Sequence, residues 1–160
     1  MQTNKYRLNG GPRHRRLGFS TLELMIALLI FGLLTAIALP MYSGAILKAK
    51  ISVAIGDLVK IDAAIERRRA SGELPATLAE LNIAVTQDPW ENPYQYLNIE
   101  AGVNQGSVRK DRNLVPLNTD YDLYSMGPDG LSKKPLTAKD SRDDILRAGN
   151  GGFIGRAEDF

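Results

Sequence analysis

The side chains that could carry chemistry in this chain are carboxylates. Its 160 residues include no cysteine and a single histidine, His14, so disulfides and cysteine-based sites are excluded. Asp129 lies in a Gly-Pro-Asp-Gly turn, and Asp143 and Asp144 follow after a loop. Oxygen ligands of this kind suit Ca²⁺, which takes about six to eight of them, whereas zinc and copper prefer softer ligands. The alternatives are a solvated turn with a helix start at Asp143, or an enzyme that pairs Asp129 with Asp143 or Asp144.

Glu23 is the second candidate. It is the one ionisable side chain between Phe19 and Leu39. A carboxylate inside a membrane helix costs a few kcal/mol and usually indicates a partner or a function. The alternative is a glutamate at the membrane interface, in a first helical turn that favours an anion.

The element that must position Glu23 is the apolar stretch from Phe19 to Pro40. A helix of this length spans roughly 30 Å, the thickness of the hydrocarbon core of a bilayer. The bases that precede it, without any acid, are Lys5, Arg7, Arg13, Arg15 and Arg16. Positive charge before a first span keeps that side in the cytoplasm and places the rest of the chain on the other side. An ordinary secretory leader, with an apolar region of about 7 to 15 residues, fits less well.

Residues 42–70 are predicted to continue as an amphipathic helix. Apolar residues recur at helical spacing, namely Ala54, Leu58, Ile61 and Ile65, with Ile51 and Ile55 on the adjoining face. The helix ends in three arginines, Arg67 to Arg69, before Ser71-Gly72. They could bind nucleic acid or phospholipid, but they also complement the dipole of the helix, which already gives them a structural role.

The remaining residues are predicted to form a small antiparallel sheet. Thr77 and Glu80 have the spacing of a capping box, which predicts a short helix over 77–81. Strand propensity predicts extended segments at 94–99, 121–126 and, more weakly, 114–117. Pro116 makes the weak segment an edge strand or a loop. In the tail, residues 146–160, a glycine-rich turn precedes Phe153 and Ile154, a possible anchor onto the domain.

Two stretches carry a resemblance to a known family. Arg15-Arg16-Leu17-Gly18, followed by Phe19-Ser20-Thr21-Leu22-Glu23 and the apolar run to Pro40, resembles the class III leader of type IV pilins and type II secretion pseudopilins. Asp88-Pro89-Trp90-Glu91-Asn92 resembles a segment of the major pseudopilins, with Glu91 where that family commonly has glycine. The missing cysteines favour the secretion branch, because many type IV pilins carry a disulfide.

The resemblance implies that prepilin peptidase cuts between Gly18 and Phe19 and that the new amine of Phe19 is N-methylated. His14 would leave with the leader, so histidine-based catalysis and zinc binding would also be lost. In a bundle of apolar helices, the amine of one subunit and Glu23 of its neighbour would neutralise each other where an unpaired charge is costly. Glu23 is therefore predicted to set the register of polymerisation.

The C-terminal carboxylates also resemble a family feature, the calcium loop of major pseudopilins. The resemblance implies ligands from the side chains of Asp129, Asp143 and Asp144 and from the backbone carbonyls of Met126 and Leu131. The loop 131–142 is longer than is usual in that family. Its bases could pair with the aspartates and make a metal unnecessary, or lie outside the shell and leave Ser141 or Asp140 as an extra ligand. These bases are Lys133, Lys134, Lys139 and Arg142.

Together these features predict an α+β, pilin-like fold: a long N-terminal helix packed on a small antiparallel sheet, with a C-terminal loop region. The predicted parts are a leader (1–18), a membrane and polymerisation helix (19–40), an amphipathic half (41–72) and a periplasmic head (73–160). The resemblance implies a non-catalytic subunit of a type II secretion pseudopilus, held in the bacterial inner membrane before assembly. Its partners would be further copies of itself, other pseudopilins, prepilin peptidase, an assembly platform and a secretion ATPase. The alternative is a type IV or competence pilin for adhesion or DNA uptake.

Overall fold

The computed structural model describes residues 18–160. The leader up to Leu17, with its five bases and His14, lies outside the described residues. The chain divides into two compact units, one ending at Tyr42 and the other running from Ser43 to Phe160. We call residues 43–160 the head domain.

Helix α1 runs from Thr21 to Ala70 and includes Pro40. In its first part, up to Tyr42, apolar side chains are open to the surroundings; Leu29 and Phe31 are 71% and 69% exposed. An 18-residue window of the helix has a mean hydropathy of 2.5 and is not buried at all. By length and composition α1 is able to cross a membrane.

The second part of α1 supplies one side of the core of the head domain. Ala54, Leu58, Ile61 and Ile65 are fully buried, which confirms the predicted apolar stripe. They pack with residues from the sheet and its approaches, namely Tyr94, Tyr121, Leu123 and Ile145. The helical spacing of 3.6 residues per turn thus brings one face of α1 against the sheet.

The sheet has four antiparallel strands in the order of the chain. They are β1 (Gln95–Asn98), β2 (Tyr121–Ser125), β3 (Ile145–Ala148) and β4 (Phe153–Arg156). In their register, Gln95 pairs with Tyr124, Ser125 with Ile145, and Ala148 with Phe153. The predicted α+β arrangement, a long N-terminal helix with a small antiparallel sheet, is confirmed.

Half of this sheet comes from the tail, where the sequence predicted only a turn and an anchor. Residues 145–156 form the β3–β4 hairpin, and Asn150 in its turn has a positive φ of 54°. The alternative of a helix beginning at Asp143 and Asp144 is wrong, because β3 follows them directly. Ile154 packs against the main core cluster, so the predicted anchor is also a strand.

One local expectation was wrong in detail, and for the segment 114–117 the structure has the loop of the two predicted alternatives. The short helix is a 3-10 turn over Leu78–Leu81, and the side chain of Thr77 makes no capping hydrogen bond. Instead, the carboxylate of Glu80 accepts a hydrogen bond from the backbone N–H of Ala76 at 3.2 Å. The segment 114–117 forms no strand and shows only an isolated bridge between Asp111 and Leu114, in keeping with the restriction imposed by Pro116.

Candidate functional site

The predicted processing site lies at the start of α1. Gly18 and Phe19 precede the helix, and nothing lies within 4 Å of a Cβ placed on Gly18. The side chain of Phe19 is 86% exposed. The hydroxyl of Ser20 accepts a hydrogen bond from the backbone N–H of Leu22 at 3.3 Å, as a helix N-cap does. The Gly18–Phe19 bond thus lies outside the helix between two exposed residues, and cleavage there stays a prediction.

Glu23 lies in the first turn of α1 and is exposed. Its position near the helix N-terminus is favourable for an anion, so the helix alone explains part of its presence. Its predicted pairing with the amine of a neighbouring subunit is not tested by a single chain and stays a prediction.

In the head domain, the two motifs that carried the resemblance to major pseudopilins contact each other. One carboxylate oxygen of Asp88 accepts hydrogen bonds from the backbone N–H groups of Trp90 and Asn92, at 3.0 and 2.9 Å. The other accepts from the hydroxyl of Ser125 at 2.5 Å, and that hydroxyl accepts from the N–H of Gly127 at 3.1 Å. The side-chain amide of Asn92 donates to the carbonyl of Gly127 at 3.3 Å. The turn at Asp88 therefore fixes the start of the C-terminal loop.

That loop depends on a close backbone approach at Gly127. Its φ is 65°, and a Cβ there would lie 2.4 Å from the carbonyl oxygen of Asp143, so only glycine fits. The approach brings Asp129 to Asp143: the N–H of Asp129 donates to a carboxylate oxygen of Asp143 at 3.3 Å. Asp129 also accepts from the N–H of Leu131 at 2.8 Å. Two of the three predicted acidic ligands are therefore neighbours.

The third, Asp144, lies elsewhere. Its side chain is fully buried, and Oδ2 accepts hydrogen bonds from Nη2 of Arg109 at 2.5 Å and from the hydroxyl of Ser132 at 2.6 Å. Nη1 of Arg109 donates to the same hydroxyl at 2.8 Å. The guanidinium also lies 4.0 Å from the centre of the Tyr124 ring, a cation–π contact. We call Arg109, Ser132 and Asp144 the arginine clasp.

Burial dominates the electrostatics of the clasp. It raises the pKa of Asp144 to about 6, against the lowering effects of Arg109 and Ser132. Two buried atoms, Asp144 Oδ1 and Arg109 Nε, have no hydrogen-bond partner. Both ions have therefore given up hydration that the clasp only partly replaces.

The bases of the 131–142 loop make other contacts. The ammonium of Lys133 lies 2.9 Å from a carboxylate oxygen of Asp140, and Lys134 donates to the carbonyl of Gly106. The hydroxyl of Ser141 bonds to both backbone groups of Lys133, at 2.7 Å each. Neither lysine is the partner of Asp144. That partner is Arg109, which comes from a distant part of the chain.

As folded, these residues fit a calcium shell poorly. Among residues 18–160, no three acidic or histidine side chains are gathered closely enough to hold a metal ion. The carboxylate of Asp144 faces Arg109, whereas that of Asp143 accepts from the backbone N–H of Asp129, and that of Asp129 accepts from the N–H of Leu131. Calcium binding by Asp129, Asp143, Asp144 and the carbonyls of Met126 and Leu131 stays a prediction.

A second buried arginine was missed in the sequence. The guanidinium of Arg147, on β3, donates two hydrogen bonds of 2.8 Å to Asp120 and one of 2.6 Å to Asp62 on α1. It lies 4.0 Å from the ring centre of Tyr121, whose hydroxyl donates to Asp62 at 2.7 Å. Because Asp62, Asp120 and Arg147 are far apart in sequence, no local pattern indicates this network, which ties α1 to the sheet.

Four proteins named type II secretion system core protein G match this chain over 74 to 82% of its length. That of Pseudomonas aeruginosa is 29% identical over 140 residues, covering 74% of this chain and 87% of the relative. That of Pectobacterium carotovorum is 27% identical over 144 residues, covering 76% and 82%. The predicted resemblance to major pseudopilins is confirmed.

A relative with a different name shares a shorter region. Fimbrial protein EcpB of Eikenella corrodens is 39% identical over 62 residues, which is 39% of each chain. No protein-family model matches the sequence, and no solved structure matches it. The pseudopilin relatives therefore account for far more of the chain than the fimbrial one.

Proposed function

We propose that this chain is a structural subunit of a type II secretion pseudopilus. The observation that carries the proposal is its similarity to four proteins named type II secretion system core protein G, over 82 to 93% of their lengths. The apolar first part of α1, with Glu23 in its first turn, supports the same role. In this proposal the protein catalyses nothing, and energy comes from a cytoplasmic secretion ATPase acting through a membrane platform.

The proposed path begins in the inner membrane, with the N-terminus in the cytoplasm and the head domain in the periplasm. Prepilin peptidase cuts after Gly18 and methylates Phe19. The subunit then joins a periplasmic filament with further copies of itself and other pseudopilins. Exposed apolar side chains such as Leu29 and Phe31 support this path, because they need either lipid or neighbouring helices to cover them.

Deletion of the gene tests this function. We expect proteins normally exported across the outer membrane to remain in the periplasm of the deletion strain, and export to return with the wild-type gene. Mass spectrometry of the culture medium measures this. Unchanged export, with loss of surface fibres or of DNA uptake, would instead establish the pilin alternative that the fimbrial relative favours.

Glu23→Ala tests the proposed register device. We expect normal cleavage after Gly18 but loss of filaments by electron microscopy, because the Phe19 amine of the next subunit would have no carboxylate partner in low dielectric. Thr35→Ala is the matched control, since the Thr35 hydroxyl bonds to the carbonyl of Phe31 in its own helix. Filaments of normal length from Glu23→Ala would refute the pairing.

A further inference from the structure

We propose that Arg109 is a built-in cation that closes the C-terminal loop of the head domain, so that this loop folds and stays closed without calcium. The inference concerns the fold of the head domain and does not depend on assembly into a pseudopilus. The predicted calcium ligands are separated: Asp144 faces Arg109, while Asp129 and Asp143 lie together.

The position of Arg109 is built from several contacts rather than one. Its backbone N–H donates to the buried carboxylate of Asp122 on β2 at 2.8 Å. Its guanidinium lies over the ring of Tyr124, also on β2. Its side chain is only 4% exposed. Because residues of β2 hold both the backbone and the guanidinium of Arg109, the charge has a fixed place in the domain.

Arg109 connects three segments as a bound cation would. It precedes β2, it donates to Ser132 in the long loop, and it donates to Asp144 immediately before β3. The hydroxyl of Ser132 accepts from Arg109 and donates to Asp144, so the three groups form a closed ring of hydrogen bonds. A guanidinium suits this role because it is always charged and donates in a planar fork.

The remaining carboxylates are partly used by the loop itself. One oxygen of Asp129 accepts from Leu131, and one oxygen of Asp143 accepts from Asp129. Without Asp144, a calcium ion would have two acidic side chains instead of the predicted three, while it needs about six to eight oxygens. The charge of one carboxylate is balanced by Arg109 instead.

The second carboxylate oxygen of Asp144 is the atom that a bound calcium ion would use if the proposal were wrong. Oδ1 is buried and has no hydrogen-bond partner, so a cation that bound there would use it. The experiment must therefore measure calcium directly and not only stability.

The test uses the full chain purified in detergent. We expect no stoichiometric calcium by elemental analysis, and the same melting temperature by circular dichroism in excess EDTA and in excess calcium. Stoichiometric calcium together with a lower melting temperature in EDTA would overturn the proposal. Both measurements are made on isolated protein, so they are independent of any failure in secretion.

Variants test whether Arg109 itself closes the loop. Arg109→Ala should lower the melting temperature by several degrees, since it leaves the buried carboxylate of Asp144 without its cation. Arg109→Lys should lower it less, because the charge remains while the fork is lost. Arg112→Ala is the matched control, because the side chain of Arg112 is 79% exposed on the same segment.

If Arg109→Ala does not fold, Arg109→Lys decides. A melting temperature of Arg109→Lys below that of Arg112→Ala, and unchanged by calcium, supports the proposal. A melting temperature equal to that of Arg112→Ala, or one that calcium restores to the wild-type value in either Arg109 variant, would contradict it.

Discussion

Glu91 is a strained residue in the turn that begins at Asp88. The resemblance to major pseudopilins implies a glycine at its position, and its φ is 72°, in the left-handed region that costs an L-residue about 1 to 2 kcal/mol. Its neighbours in the turn are fixed by Asp88, which bonds to the N–H groups of Trp90 and Asn92. The turn therefore keeps its shape and Glu91 bears the strain.

We expect Glu91→Gly to stabilise the protein by about 0.5 to 1 kcal/mol, because relief of the left-handed strain exceeds the added entropy of glycine in the unfolded chain. Denaturant unfolding in detergent measures the change. Glu73→Gly is the control: Glu73 is exposed and does not have a positive φ, so this substitution should not stabilise. Equal effects of the two substitutions would show that the turn bears no strain at Glu91.

Asp120 is the residue at which pH dependence should appear. Burial raises the pKa of Asp120, but hydrogen bonds from Arg147 and from the backbone N–H of Tyr121 lower it by more. The pKa of Asp120 therefore lies below its ordinary value of 3.8. A carboxyl group whose pKa is lower in the folded state stabilises the protein above the unfolded-state pKa. That stability is lost as pH falls through the folded-state pKa. The relevant window is therefore below about pH 4.

Asp120→Asn should cost about 3 kcal/mol at pH 7, at the low end for a broken buried ion pair because Asp62 still contacts Arg147. The difference from wild type should shrink on acidification to pH 3. Melting curves at the two pH values measure it, with Asp159→Asn, at an exposed position, as the control. A difference that stays constant from pH 7 to pH 3 would contradict the assignment of this stability to the Asp120 charge.

At the scale of the elements, the tail is a structural part of the sheet. β4 pairs with β3 along its whole length, Gly155 is buried, and Ile154 packs on the core. Truncation after Ala148 removes β4 and exposes the edge of β3, whose four residues are all buried. A domain of this size is only marginally stable, so loss of a strand should unfold it.

We expect the chain truncated after Ala148 to be degraded rapidly in limited proteolysis. The chain truncated after Ala157 should resist, because it loses only the three exposed residues 158–160. Equal resistance of the two truncated chains would show that β4 contributes nothing to the stability of the head domain.

The elements that the sequence predicted are those with a local pattern. The stripe of Ala54 to Ile65 repeats at the helical period, and the strand at 121–126 has strong propensity, so both were found. β3 and β4 were not predicted as strands, although a Gly-Asn-Gly-Gly turn between two apolar segments is typical of a hairpin. That turn is the local signal in the sequence for the second half of the sheet.

The residues of the candidate site also fall into those with a local sequence signal and those without one. Gly127, Asp129 and Asp143 are close in sequence or in a recognisable motif, and the structure does bring Asp129 to Asp143. Arg109 and Arg147 were missed because their partners are distant in sequence, and only the folded chain joins Arg109 to Asp144 and Arg147 to Asp62. A buried ion pair has no sequence period.

At the scale of the whole molecule, the groups on which the proposed filament assembly depends lie at the N-terminal end of α1. Glu23 is in the first turn, and the first part of the helix carries exposed apolar side chains that suit either lipid or packed neighbouring helices. The proposed transfer from membrane to filament requires a free cationic amine beside these side chains. That amine exists only if the chain is cut immediately before Phe19.

Mass spectrometry of the N-terminal peptide of the protein isolated from its own cells tests the proposed function most directly. We expect a chain that begins with N-methylated Phe19 and lacks residues 1–18. A chain that still begins at Met1, or that begins anywhere other than at a methylated Phe19, would contradict the account and leave a membrane-anchored domain that cannot pair its Glu23.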